Sequence, residues 1–282
     1  MIGPSIIPIV VDTDNALGSA NKNFFGGDVD DAFALAFLLK SNTLISSVYS
    51  VAGNASAEVC HLNNLEICAK LQSNVRCYNG QLSIQMPENK CHYLALGPLT
   101  NLAGFLKRDC SPESIWMTLG RINTLGFFPP IWPVEFNATK DLAAFQTVLN
   151  SGVRKIIVPL DIAFQLKLKP DQKDRFQSTE IGRYLWDHSR RWAWRNVFLK
   201  GRFAFPIWDL VSAVAITNPE SVQTRPGRGY FFKNGLFLCD VENRPGTFHN
   251  REKAIFSFEI EIVTEIDIEL VWDLFFKALQ NP

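Results

Sequence analysis

VVDTDNALGSANKNFFGGDVDDAFALAFLL, residues 10–39, is the stretch whose reading decides the fold. An apolar, β-branched run ends in Asp12 and Asp14, and a segment bearing Gly18, Gly26 and Gly27 follows. Asp28, Asp30 and Asp31 then open a run of small and apolar residues with the length and composition of a helix, from about Asp30 to Lys40. A strand that feeds a helix through an acid-bearing loop sets those acids at the carboxyl edge of a sheet. Five carboxylates gathered there repel one another unless a hard cation neutralises them. Calcium accepts about six to eight oxygens in flexible geometry, whereas magnesium demands octahedral order and keeps its waters, so Ca2+ is the expected ion. Acids at a helix start also cap the helix and favour its dipole, and Asp28 taken alone reads as such a cap.

Working outward, short β-branched runs alternate with longer periodic ones as far as residue 165. LISSVYSVAG (44–53) reads as a strand, and Ala57 to about Leu71 as a helix carrying Val59, Leu62, Ile67 and Leu71 on helical spacing. HYLALG (92–97) leads into the helix TNLAGFLKR (100–108). IWMTLG (115–120) is a strand, DLAAFQTVLNSG (141–152) a helix closed by Gly152, and KIIVPLD (155–161) a strand ending in Asp161. Later come a Trp- and Arg-rich helix near 178–200, the helix PIWDLVSAVAI (206–216), and GYFFKNGLFLCD (229–240), whose Asn-Gly step signals a hairpin. AIFSFEIEIVT (254–264) is a last strand and IELVWDLFFKALQ (268–280) an amphipathic closing helix. The expectation is one α/β domain over residues 1–282, with a mostly parallel central sheet flanked by helices, a small β-hairpin and a C-terminal helix.

The formal net charge is zero, so the chain lacks the positive field that nucleic acid or an anionic membrane rewards; a small neutral ligand is expected instead. Its six cysteines form no CxxC pair and no metal-finger spacing, which reads as scattered reduced thiols and a cytoplasmic setting. MIGPSIIPIVVDTD has no basic residues before an apolar run broken by Pro8 and stopped by Asp12. It is read as the first buried strand, neither a leader nor a span.

Several motifs in series carry a resemblance. They are Asp12-Thr13-Asp14, Asp30-Asp31-Ala32, VAGN at 51–54, LGPLTNLA at 96–103, PVEFN at 133–137 followed by Asp141, PLD at 159–161, and Trp208-Asp209. In order and spacing they resemble the inosine-uridine-preferring nucleoside hydrolases over nearly the whole chain. The resemblance implies hydrolysis of the N-glycosidic bond of a ribonucleoside. It also implies a calcium held by Asp14, Asp31, Asp209 and the backbone carbonyl of Thr100, with Asp14 as general base. Asp30, Asn54, Glu135, Asn137 and Asp209 would hold the ribose, and the protein would form homodimers or homotetramers. A carboxylate beside a cation can accept a proton from a water that the cation acidifies, so the implied roles are chemically compatible. Taken singly, Asn54 also reads as a turn residue, Thr100 and Asn101 as helix caps, and Asp12 and Asp161 as supporting groups.

The chain departs from the family pattern at four places, one of them YNGQLSIQMPENKCHY (78–93), where the family has a histidine-bearing glycine-rich stretch. NALGSANKNFFGGDV (15–29) is a long insertion, whose Phe24 and Phe25 would cover the pocket or a neighbouring subunit. Trp208 stands where purine-preferring members carry a His that protonates the leaving base, leaving His188 as a candidate acid, with Tyr184 and Arg191 behind it. GRINTLGFFPPIWPVEFN (120–137) replaces the usual Gly-Asn step, and Asn123 is the candidate substitute. Of the aromatics between Trp186 and Trp208, Trp208 and one helix tryptophan are expected to face a base, the rest to pack on the core. The nucleobase stays open, a modified base such as that of queuosine included. Two readings of other classes remain: a phosphohydrolase of the haloacid dehalogenase type, suggested by IVVDTDNAL, and a nucleoside-binding relic without turnover.

Overall fold

The computed structural model describes residues 7–17, 27–80, 90–122, 134–200, 204–242 and 251–281, and of residues 191 and 195–200 the backbone alone. The first half is built from β1 (Ile9–Thr13), α1 (Asp30–Lys40), β2 (Ile45–Ser50), α2 (Ala57–Lys70), β3 (Arg76–Asn79), β4 (His92–Ala95), α3 (Thr100–Leu106) and β5 (Ser114–Thr118). It continues with α4 (Phe136–Lys140), α5 (Leu142–Leu149), β6 (Arg154–Val158), α6 (Leu160–Ala163), β7 (Lys167–Leu168), α7 (Lys173–Gln177) and α8 (Glu180–Lys200). The chain closes with β8 (Phe205–Pro206), α9 (Trp208–Thr217), β9 (Val222–Phe232), β10 (Phe237–Val241), β11 (Ala254–Ile266) and α10 (Ile268–Leu279).

Nine strands form one sheet in the order β10-β9-β11-β6-β5-β4-β1-β2-β3. From β11 to β3 every neighbouring pair is parallel, while β9 runs antiparallel to both β10 and β11. The order reverses between β1 and β4, because β2 and β3 are laid down on one side of β1 and β4 to β6 on the other. The carboxyl ends of strands at such a reversal, here β1 and β4, are where α/β sheets hold their ligands.

Each strand of the middle is buried on both faces, so its side chains alternate between two cores. Ile9 and Val11 join one cluster with α1, α9 and α10, whereas Val10 joins the other with α3 and α5. Trp116 and Ile115, or Val158 and Ile157, divide in the same way. α1 is apolar around its whole circumference and packs against α9, so both helices lie inside the molecule.

The Asn-Gly turn forms as expected, with Gly235 at φ +81°, Gly235 N–H donating to Phe232 O and Leu236 N–H to Asn234 Oδ1. The hairpin it closes is continuous with the main sheet through β11. β3, which the sequence reading missed, adds an edge strand, and β7 pairs with β8 as a separate two-stranded ribbon.

Three local expectations are corrected. α2 buries Ile67 as expected and packs Val59 and Leu71 partly buried against the core, but Leu62 is 58% exposed, and the other buried positions go to Ala57, Cys60, Asn64 and Cys68, whose small size lets the helix lie close to β2 and β3. α5 ends at Asn150 rather than at a glycine cap, and among the described residues nothing lies within 4 Å of a Cβ built on Gly152. Asp161 lies in the first turn of α6, past the end of β6. The six cysteines are free thiols, although Cys68 and Cys77 bring their Sγ atoms to 3.3 Å. Among the described residues no helix is long and apolar enough to cross a membrane.

Candidate active site

Acids converge at this reversal. Asp14 follows β1, Asp30 and Asp31 begin α1, and Asp209 is the second residue of α9; all four are buried. Ligand oxygens of Asp30, Asp31 and Asp209 lie within 4.8 Å of one another. Two buried helices therefore aim their amino ends, the positive poles of their dipoles, at one spot, which offsets part of the cost of collecting anions there.

Asp14 sits in a slot that only glycines leave open. A Cβ on Gly53, after β2, would stand 1.9 Å from Asp14 Oδ2, and one on Gly97, after β4, would stand 3.0 Å from Asp14 Oδ1. Within the slot the Asn54 backbone N–H donates to Asp14 Oδ2 at 2.7 Å. Sequence reasoning missed both glycines as site residues, although VAGN and LGPLTN contain them; only coordinates reveal what fills the space beside them.

Asp31 accepts a short hydrogen bond from Thr13 Oγ1, and its other oxygen, Oδ2, is buried without a hydrogen-bond partner among the described residues. Asp209 is bonded to Thr118, whose hydroxyl also meets Ser212 Oγ at 2.7 Å. Burial raises the carboxyl pKa of Asp30, Asp31 and Asp209 well above the ordinary range. Neighbouring anions add to it: Asp209 acts on Asp30, and Asp14 on Asp31 and Asp209. Burial likewise pushes Asp14 up to about 7.

Asp30, Asp31 and Asp209 make the group whose oxygens meet, and Asp14 stands near enough for its charge to bear on Asp31 and Asp209; such an all-oxygen set, with one oxygen unsatisfied among the described residues, fits a hard divalent cation. The sign of the pH effect follows from the shifts. A buried acid whose folded pKa is raised binds its proton more tightly folded than unfolded. Without a cation these acids therefore cost stability as pH rises from the ordinary 3.8 toward the folded value, about 7 for Asp14. A bound cation reverses that cost, so the calcium-induced rise in melting temperature is expected to be larger at about pH 8 than at about pH 6. Equal rises at both would count against the cluster as the ion's site.

Asp28 is not the cap of α1. Val29 holds the cap position, and Asp28 Oδ1 accepts from the Val29 N–H at 2.8 Å while its charge bears on Asp14, Asp30, Asp31 and Asp209. Asp12 stands behind the cluster, with one oxygen accepting from Tyr93 Oη at 2.7 Å and the other from Asn101 Nδ2 at 2.9 Å. Burial puts its pKa at about 7 as well. Asn101 thus ties α3 to β1 rather than capping α3, and Thr100 Oγ1 donates to Asp141 Oδ2 at 2.8 Å. Glu135 is buried, its Oε2 accepting from the Gly120 N–H at 2.7 Å. Gly120 has φ +73°, a conformation that suits glycine, and Asp161 holds the same segment by accepting from the Ile122 N–H. Asp161 and Glu135 thus hold the same short segment, residues 120–122. Asn137 Nδ2 reaches Leu96 O at 3.2 Å, beside the Gly97 slot.

Trp208 opens α9 next to Asp209, half-buried, with its indole Nε1 lacking a hydrogen-bond partner among the described residues. His188 Nδ1 lies 2.8 Å from Tyr184 O in the same helix, with the two rings 4.1 Å apart. Trp186, Trp192 and Phe205 pack on the core, and Trp194 is exposed. Gly18, Phe24, Phe25, Gly26, Asn123 and Phe203, and the side chains of Arg191, Arg195 and Phe198, lie outside the described residues.

A profile of the family described as inosine-uridine preferring nucleoside hydrolase matches residues 81–273. Uridine nucleosidase 1 of Arabidopsis thaliana is 32% identical over 168 residues, which make up 56% of this chain and 45% of that protein. The chain thus spans about half the length of that curated relative. Among solved structures, a plant nucleoside hydrolase superposes with a TM-score of 0.76 at 18% identity, over 98% of this chain and 100% of that one. The inosine-uridine preferring nucleoside hydrolase of Bacillus anthracis superposes with a TM-score of 0.72 at 12% identity, over the same shares. At such identities the likeness shows the fold. Because the profile match spans more than half of the chain, the chain belongs to the inosine-uridine preferring nucleoside hydrolase family.

Proposed function

We propose that the chain is a calcium-dependent nucleoside hydrolase that splits the N-glycosidic bond of a ribonucleoside into ribose and free base. The observation that carries this reading is the meeting of buried, partly unsatisfied acids at the sheet's reversal point, in a chain of that family. Asp14, Asp31, Asp209 and the Thr100 carbonyl are the proposed calcium ligands. When bound, the ion supplies the positive charge that acidifies a water and helps orient the sugar hydroxyls.

The chain's own groups do the rest. Asp14 takes the proton of the attacking water on Oδ1, since Oδ2 is engaged by the Asn54 N–H. Asp30, Asn54, Glu135, Asn137 and Asp209 orient the ribose. Donors and acceptors placed for hydroxyl groups leave buried polar atoms unpaired when one hydroxyl is missing, so 2'-deoxynucleosides are poor substrates. Trp208 offers an aromatic face to the departing base. Its indole N–H can donate a hydrogen bond but does not supply a proton at neutral pH, so the base leaves on its own acidity, on stacking, or with a proton from another side chain such as His188.

A panel of uridine, inosine, adenosine, their 2'-deoxy forms and a 7-deazapurine ribonucleoside, assayed for free base and ribose with and without a calcium chelator, tests the reading. Ribose release that chelation abolishes and calcium restores is expected, at a rate at least about 10² above the 2'-deoxy analogue. Binding without release on every member would leave a nucleoside-binding relic, and phosphate release from simple phosphomonoesters would favour a phosphohydrolase.

A further inference from the structure

Behind Asp14 runs a chain of buried amides that the proposed reaction does not use. Asn15 Nδ2 donates to Asn64 Oδ1 at 3.0 Å, and Asn64 Nδ2 donates to Ser50 Oγ at 3.0 Å. Asn63 Nδ2 donates to the backbone oxygen of Asn15 at 2.8 Å, and the Leu17 N–H donates to Asn15 Oδ1 at 3.1 Å. Asn15, Asn64 and Ser50 are wholly buried. α2 therefore grips residue 15 through both its side chain and its backbone, one position past Asp14 and just before residues 18–26. The other hold on this dipeptide, the Asn54 N–H on Asp14, comes from the turn that leads into the same helix. Residues 53–64 thus fix Asp14 from two sides.

A lone buried amide is a liability, since each unmatched N–H or C=O forfeits its hydration. Here the amide groups answer one another in one arrangement, which suits a device that specifies position. The segment needs one. Of the carboxylates proposed as ion ligands, Asp14 is the one not carried on a helix, and it stands where the chain departs into the insertion, whereas Asp31 and Asp209 are set by α1 and α9.

We propose that Asn64 is a positioning residue for the ion site: through Asn15 it holds the Asp14 carboxylate where it can share a cation with Asp31 and Asp209. This rests on the calcium reading above. The alternative is that the amides contribute stability alone, and two truncations separate them. Asn64→Ala breaks the bond to Asn15, while Ser50→Ala removes only the far end of the chain and leaves the bond between Asn15 and Asn64 in place.

The experiment is calorimetric titration of the purified, chelator-stripped full chain with calcium, alongside thermal unfolding of each variant. Both variants are expected to melt a few degrees below wild type. Asn64→Ala is expected to weaken calcium binding about tenfold or more, and Ser50→Ala to leave it within about twofold of wild type, as for outer groups that do or do not orient a ligand. Should Asn64→Ala fail to fold, Asn15→Ala breaks the same bond from the other side and carries the same expectation. Wild-type affinity in Asn64→Ala, or equal losses in both variants, would overturn the proposal while leaving the calcium reading intact. Wild-type protein that takes up no calcium would overturn both.

Discussion

Replacing Asp14 with Asn is expected to lower kcat by about 10³-fold or more, the scale on which a positioned general base acts, while the protein stays folded. The side chain keeps its shape and can still accept from the Asn54 N–H through its amide oxygen. It can no longer take a proton from the attacking water, and it brings no charge to the ion. Because the native carboxyl is buried and its pKa is raised to about 7, removing the charge relieves the cation-free protein. Above about pH 7 the variant should therefore melt no lower than wild type without calcium, yet gain less from calcium. Activity from release assays and melting curves with and without the ion check both halves. A variant that keeps a tenth or more of wild-type kcat would remove Asp14 from the reaction.

The second large effect comes from a residue with no chemistry of its own. A methyl group on Gly53 would lie 1.9 Å from Asp14 Oδ2 and 2.8 Å from Pro98 Cδ, so the Asp14 side chain must leave its slot in Gly53→Ala. Displacing a reacting group by about 1 Å costs on the order of 10²-fold in rate, and overpacking costs about 1–3 kcal/mol of stability. Activity is expected to fall at least about 10²-fold, with weakened calcium binding and a lower melting temperature. Gly152→Ala, at a glycine with open space around its α-carbon, is the matching control and should leave rate and stability near wild type. If Gly53→Ala is as active as Gly152→Ala, the slot does not hold Asp14 in place.

These two residues mark what the sequence discloses and what it withholds. The density of Asp12, Asp14, Asp28, Asp30 and Asp31 is visible in one line of letters, and the apolar run after Asp31 fixes α1 over the expected Asp30–Lys40. Asp209 lies far along the chain and becomes legible only through the family's order of motifs. Gly53 and Gly97 stand in those motifs, but a close approach between loops after different strands leaves no local signal. The same holds for Thr13 and Thr118, ordinary strand-end residues whose hydroxyls turn out to bind site carboxylates.

Errors in the fold have equally specific causes. β3, Arg-Cys-Tyr-Asn, is too short and too half-exposed to show an alternation. Helical spacing places Leu62 with Ile67, but α2 leaves Leu62 exposed: close contact with the sheet selects Ala57 and Cys60, and it admits Asn64 because Asn15 and Ser50 satisfy its amide. Asp28 reads as a cap until coordinates give that place to Val29.

Crystallography of the calcium-loaded protein, with the ion located by its anomalous scattering, tests the shared cation most directly. The predicted result is one ion with carboxylate oxygens of Asp14, Asp31 and Asp209 at about 2.3–2.6 Å, the ordinary range for calcium. An ion bound elsewhere, or one that Asp14 does not touch, would contradict it.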